Sequence, residues 1–159
     1  MRRRPPALLA FAGVVLVAGC SATIPTTVAP HATDPVCADV VLSTPDELSG
    51  LERRDTNAQA TTAWGDPEGA IVLRCGVEPL GPTTDRCVTV ESPDGTSVDW
   101  VVTQGDSEDD DGAATFVTYG RVPAVEVRVP ASVRAQHSTS LLIDLGAAVS
   151  RTEKQRACL

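Results

Sequence analysis

Apolar positions along this chain form one unbroken run near the start and two kinds of periodic pattern after it. The run, Ala7 to Ala18, is interrupted only by Gly13. It falls well short of the about 20 apolar residues that a membrane-crossing helix needs. Beyond it, short apolar stretches are punctuated by turn residues. Ala70-Ile71-Val72-Leu73-Arg74-Cys75 is continuous, as in a strand buried on both faces. Cys87 to Glu91 is a second strand candidate, and Pro93-Asp94-Gly95 supplies a turn. Val98, Trp100 and Val102 then share one face of a strand while Asp99 and Val101 share the other. Ala114 to Tyr119 turns at Gly120-Arg121 into Val122 to Val129, where Val125, Val127 and Val129 alternate with Glu126 and Arg128. Leu51 to Arg54 is a weaker candidate. At the two ends the period becomes helical. Cys37 to Leu42 has an apolar side made by Val36, Val40 and Val41 and is stopped by Pro45 and Gly50. Leu141, Leu142, Leu145, Ala148 and Val149 repeat at helical spacing behind the capping candidates Ser138, Thr139 and Ser140, with Gly146 a weak point. The pattern predicts an α+β domain over 37–159, an antiparallel sheet of about five strands with a short N-terminal helix and a C-terminal helix.

Arg2, Arg3 and Arg4 precede the first apolar run, which gives residues 1–19 the charged and apolar regions of a secretory signal. Its end, Val17-Ala18-Gly19-Cys20, resembles the lipobox of bacterial lipoproteins. Such a motif predicts that the Cys20 thiol receives a diacylglycerol and becomes the first residue of the mature chain. Only a thiolate is nucleophilic enough for the thioether, and Ala18 and Gly19 are small enough for the processing enzymes. Residues 20–36 are rich in Ser, Thr, Pro, Ala and Val without periodicity, so they read as a disordered tether that spans roughly 20 Å on average. Loss of Arg2, Arg3 and Arg4 with the signal changes the formal charge from −8 to −11. That balance argues against nucleic acid as a partner. The partners expected are the membrane, through the N-terminal lipid, and an envelope protein or ligand.

Four cysteines follow Cys20, and outside the cytoplasm an even number reads as two disulfides with three possible pairings. The expected pairs are Cys75–Cys87, which bracket a Pro/Gly-rich loop between two apolar runs, and Cys37–Cys158, at the two ends of the domain. No close C-x-x-C spacing suggests zinc or thioredoxin-like chemistry, so neither metal nor cofactor is expected. A nucleophilic Cys75 with His137 as base would require Cys75 to be unpaired.

The remaining candidates are a ligand or partner surface made of Trp64, Asp66, Arg74, Asp99, Tyr119 and Arg121. Trp64, before Gly65-Asp66-Pro67, suits either a stacking platform or a core plug. Arg74, inside an apolar run, needs a carboxylate such as Asp99 or Asp66, and such a pair can also grip an anion. Asp106, Glu108, Asp109, Asp110 and Asp111 lack the spacing of a calcium loop and read as a solvated segment. No nucleophile-elbow, zinc-protease or phosphate-loop signature is present.

Several of these stretches together resemble an actinobacterial family of exported proteins and lipoproteins, domain of unknown function 3515. They are Ala63-Trp64-Gly65-Asp66-Pro67, Leu73-Arg74-Cys75-Gly76-Val77, Cys87, Val98-Asp99-Trp100 and Thr118-Tyr119-Gly120-Arg121-Val122-Pro123-Ala124-Val125. The resemblance implies an envelope protein, often lipid-anchored, with no catalytic residue to carry over. Two functions follow as expectations. The first is a non-catalytic binding or accessory module at the outer face of the cell membrane; the second is an extracytoplasmic hydrolase or transferase acting on envelope material.

Overall fold

The computed structural model describes residues 22–104, 112–137 and 140–158; the signal, Cys20 and the acidic stretch 106–111 lie outside the described residues. Helix α1 (Pro35–Leu42) comes first, followed by strands β1 (Glu47–Leu48), β2 (Leu51–Arg54), β3 (Thr61–Trp64), β4 (Ile71–Val77), β5 (Cys87–Glu91), β6 (Ser97–Gln104), β7 (Ala114–Thr118), β8 (Arg121–Val122) and β9 (Ala124–Val129). Helices α2 (Ala131–His137), α3 (Leu141–Asp144) and α4 (Gly146–Val149) and strand β10 (Glu153–Lys154) complete the chain.

The main sheet has eight strands, in the order β1-β2-β3-β4-β9-β7-β6-β5, every pair antiparallel. This exceeds the expected count of about five, because β1 is only two residues long and because Thr61-Thr62-Ala63-Trp64 is buried throughout and shows no alternation. Side-chain alternation divides the sheet into two faces. Trp64, Ile71, Leu73, Cys75, Val98, Trp100, Phe116, Val125 and Val127 pack with Cys37 and Val40 of α1 and with Leu141, Leu142, Leu145 and Val149. This helix face is the main core. Asp34 caps α1 by accepting from the Val36 N–H at 2.9 Å, and Pro35 occupies the first turn, where its missing N–H costs nothing. The expected C-terminal helix is instead two short ones, since Gly146 breaks the run after Leu145.

On the opposite face the structure departs from the expected tether. Ile24 is 2% exposed and packs on Ala63, Ala70 and Val72. Its N–H donates to the Asp55 carbonyl at 2.9 Å, and it forms a parallel bridge with Thr56. Ala29 and Ala32 pack with Val77, Val117 and Ala124. Residues 22–34 are therefore a strap across the sheet and part of the packed domain; small apolar residues spaced irregularly can lie on a sheet without either periodicity. The C-terminal tail lies over the far end of the same face, where Cys158 is bonded to Cys87.

Both disulfide pairings differ from those expected. Cys37 bonds Cys75 with the Cα atoms 5.4 Å apart, and Cys87 bonds Cys158 at 6.4 Å. The topology gives the reason. β9, β7 and β6 lie between β4 and β5, which separates Cys75 from Cys87 by about 19 Å at the usual strand spacing. Register also places Cys75 opposite Val125 on the helix face, whereas Cys87 opposite Val101 belongs to the strap face. Cys37 and Cys158 are likewise on opposite sides of the sheet.

Candidate functional site

Of the six candidate residues, four are held in structural bonds. The Trp64 indole is fully buried and donates to the Pro45 carbonyl at 2.9 Å, so it is a core plug and not a ligand platform. Arg74 does not meet Asp99 or Asp66. It lies directly across from Glu126 on β9 and forms two contacts of 2.8 Å with that carboxylate, because the β4 neighbour in the sheet is β9. Its third nitrogen donates to the Thr27 hydroxyl at 2.6 Å, which fastens the strap. Asp66 is exposed and 3.8 Å from Arg54.

Asp99 and Arg121 fasten the other end of the chain. Asp99 is only 4% exposed. It accepts from the Thr89 hydroxyl at 2.7 Å and from the Cys158 N–H at 3.3 Å, and it lies 3.4 Å from the Lys154 ammonium. Burial pushes its carboxyl up, but these hydrogen bonds and the Lys154 charge outweigh burial and hold it below the ordinary aspartate value of 3.8. Arg121, 5% exposed, donates to the carbonyls of Thr152 at 2.8 Å, Ser97 at 3.2 Å and Val149 at 3.5 Å. Burial lowers its pKa, and the Asp99 charge works in the opposite direction. Its guanidinium thus ties the turn after α4 and the start of β6 to β8, and β8 pairs with β10 to hold the tail in place. Neither residue forms the exposed surface expected of it.

Tyr119 is different. Its side chain is half-buried, and it lines a cleft of about 340 Å³ between the loop before β5 and the C-terminal tail. Val101, Pro82, Thr83, Thr84 and Asp85 also line it. The Thr83 hydroxyl donates to the Asp85 carboxylate at 2.7 Å and accepts from its N–H at 3.0 Å. The cleft offers mixed polar and apolar contact, which suits binding. A second groove of about 360 Å³ runs beside α1, lined by Pro35, Ala38, Val41, Leu42, Gln59 and Ala60. It is mainly apolar, and Leu42 next to it is 78% exposed. Sequence reasoning missed this groove, although Leu42 at the end of the predicted helix, off its Val36-Val40 side, was a visible signal.

Cys75 is bonded to Cys37 and cannot serve as a nucleophile, and the His137 side chain lies outside the described residues. Among the described residues no three His, Cys, Asp or Glu side chains are grouped so as to hold a metal ion, and no helix is long and apolar enough to cross a membrane. No curated protein and no solved structure gives a significant match to the chain. A family model does, over residues 7–158, which takes in the strap, both disulfides and the clasps around Arg74, Asp99 and Arg121. The chain belongs to the family described as Protein of unknown function (DUF3515).

Proposed function

We propose that this chain is a lipid-anchored, extracytoplasmic binding module of the cell envelope, without catalytic activity of its own. One observation carries the non-catalytic part of the reading. Half-buried Arg74 and buried Asp99 and Arg121, the charges that sequence singled out for chemistry, each hold a chain end on the sheet through bonds of 3.5 Å or less. Buried charged groups tied into such bonds are not available to move protons or attack a substrate. The anchoring part rests on Val17-Ala18-Gly19-Cys20 behind a short apolar run, and two disulfides suit an oxidising compartment. The Tyr119 cleft and the α1 groove are surfaces open to a partner or ligand.

Cell fractionation of the wild type beside Cys20→Ser tests the anchor. The wild type is expected in the membrane fraction and resistant to a salt wash, and C20S in the soluble or unprocessed fraction; identical behaviour of the two overturns it. Photocrosslinking from Tyr119 and from Leu42 in intact cells tests the binding role. A discrete adduct from either position supports it, whereas no adduct from both contradicts it.

A further inference from the structure

The strap changes what a lipid on Cys20 would do. A free tether over residues 20–36 would let the domain wander roughly 20 Å from the bilayer and turn in any direction. The strap leaves almost no such slack. The first contact is that of exposed Ala22, whose carbonyl accepts from Arg54 at 3.5 Å; burial begins at Ile24, and the Thr26 N–H donates to the Asn57 side chain at 2.8 Å. Cys20 is two residues from Ala22 and four from buried Ile24, a leash of at most about 14 Å. We infer that the docked strap presses the β1–β2 edge of the sheet flat against the bilayer surface, in one fixed orientation. This rests on the lipidation proposed above.

Two adjacent arginines define that edge. Arg54, opposite Ala63 on the strap face, holds the start of the strap. Arg53, opposite Trp64 on the helix face, donates to the Val41 carbonyl at 3.1 Å and holds the end of α1. The lipidated terminus and the exposed Leu42 therefore flank the same short strand, one on each side of the sheet. Leu42 is placed to meet the apolar part of the interface. Charge does not drive the contact: Asp46, Glu47, Glu52 and Asp55 outnumber Arg53 and Arg54 at this edge. The orientation comes from the covalent lipid and the short leash, so it holds on zwitterionic lipid and does not depend on anionic headgroups.

The test uses the full lipidated chain, purified from membranes and reconstituted into phosphatidylcholine vesicles that contain a nitroxide-headgroup lipid. A fluorescent side chain is placed at Glu52, on β2, or at Glu91, on β5, both exposed and on the same face of the sheet. Six strand spacings, about 29 Å, separate the two strands. The inference predicts quenching at position 52 several-fold stronger than at 91. It also predicts that a Gly/Ser insertion of about a dozen residues between Ser21 and Ala22 abolishes the difference, since it restores a free tether. Equal quenching at the two positions in the uninserted chain, or stronger quenching at 91, overturns the orientation. Acyl mass on the N-terminal peptide and flotation with vesicles are measured on the same sample. Their absence overturns the lipidation reading and the inference together, whereas equal quenching in an acylated, floating sample overturns the inference alone.

Discussion

Gly76 and Gly120 stand where each end of the chain crosses onto the strap face. Both have positive φ, +89° and +66°, and a Cβ on either would run into backbone, that of His31 and that of Arg156 respectively. The His31 N–H donates to the Gly76 carbonyl at 2.8 Å, and the Gln155 N–H to the Gly120 carbonyl at 2.7 Å. Gly50 has a similar φ of +77° but nothing near its missing Cβ. Gly50→Ala should therefore cost only the left-handed conformation, about 1–2 kcal/mol, while Gly76→Ala should cost a further ~1–3 kcal/mol because the strap backbone must move. Urea unfolding of the two variants measures the difference, and equal midpoints would refute the close crossing. The sequence pattern ends the strand at Cys75 and leaves Gly76 to the Pro/Gly-rich loop, whereas Gly76 lies within β4, where a glycine marks a close backbone approach. What approaches it was not legible, because that depends on a segment distant along the chain.

Asp99 gives a prediction in pH. Its folded pKa is below the unfolded value, so its contribution to stability is present above pH 3.8 and is lost as pH falls through that value toward the folded pKa. Asp99→Asn should be less stable than wild type near neutrality and should lose less on acidification through that window, read by thermal melts at successive pH values. Parallel losses in the two proteins would show that the carboxylate makes no such contribution. The tail bonds of Asp99 and Arg121 explain why sequence pointed to them as chemistry. A charge within an apolar strand signals a partner, but whether that partner is a ligand or the protein's own backbone is decided by tertiary structure.

Among the elements, strands with a clear period or a continuous apolar run were legible, and β3 and the strap were not. The 87–91 strand and the Val125-Val127-Val129 face stand where the pattern puts them, and α1 begins two residues before the predicted start. Strand β3 escaped because its threonines are buried along with Ala63 and Trp64, and the strap because its buried residues, Ile24, Ala29 and Ala32, follow neither period. The disulfides were mispaired because sequence proximity of Cys75 and Cys87 suggested a hairpin, whereas the chain leaves the sheet centre and re-enters at the far edge. Peptide mapping without reduction should recover Cys37–Cys75 and Cys87–Cys158 and neither of the other pairings. The bridges close loops with separations of 38 and 71 residues, so each should stabilise by about 4 kcal/mol in the chain-entropy model. Reduction should lower the melting temperature accordingly; an unchanged melt would contradict both. The Arg74–Glu126–Thr27 clasp is partly exposed, with a quarter or less of each ionic side chain open to solvent. Arg74→Ala should cost only about 1 kcal/mol globally, yet it should speed proteolytic cleavage within residues 22–34. A cleavage rate equal to wild type would remove Arg74 from any role in holding the strap.

At the scale of the whole molecule, an antiparallel sheet carries its helices on one face and is covered on the other by the strap and the C-terminal tail, each fixed by a glycine crossing and a charged side chain, with the tail also held by Cys87–Cys158. An arrangement of this kind adds buried contacts to a small, aromatic-poor domain. It also leaves little free spacer before Cys20, so the lipid proposed there would hold the domain close to a membrane. The most direct measurement is hydrogen exchange on the folded domain, resolved over residues 22–34. The account predicts slow exchange at Ile24 and His31, whose amides donate to the Asp55 and Gly76 carbonyls, comparable to amides in the sheet. Exchange throughout this segment at the rate of an unstructured peptide would contradict the strap and, with it, the fixed mounting on the membrane.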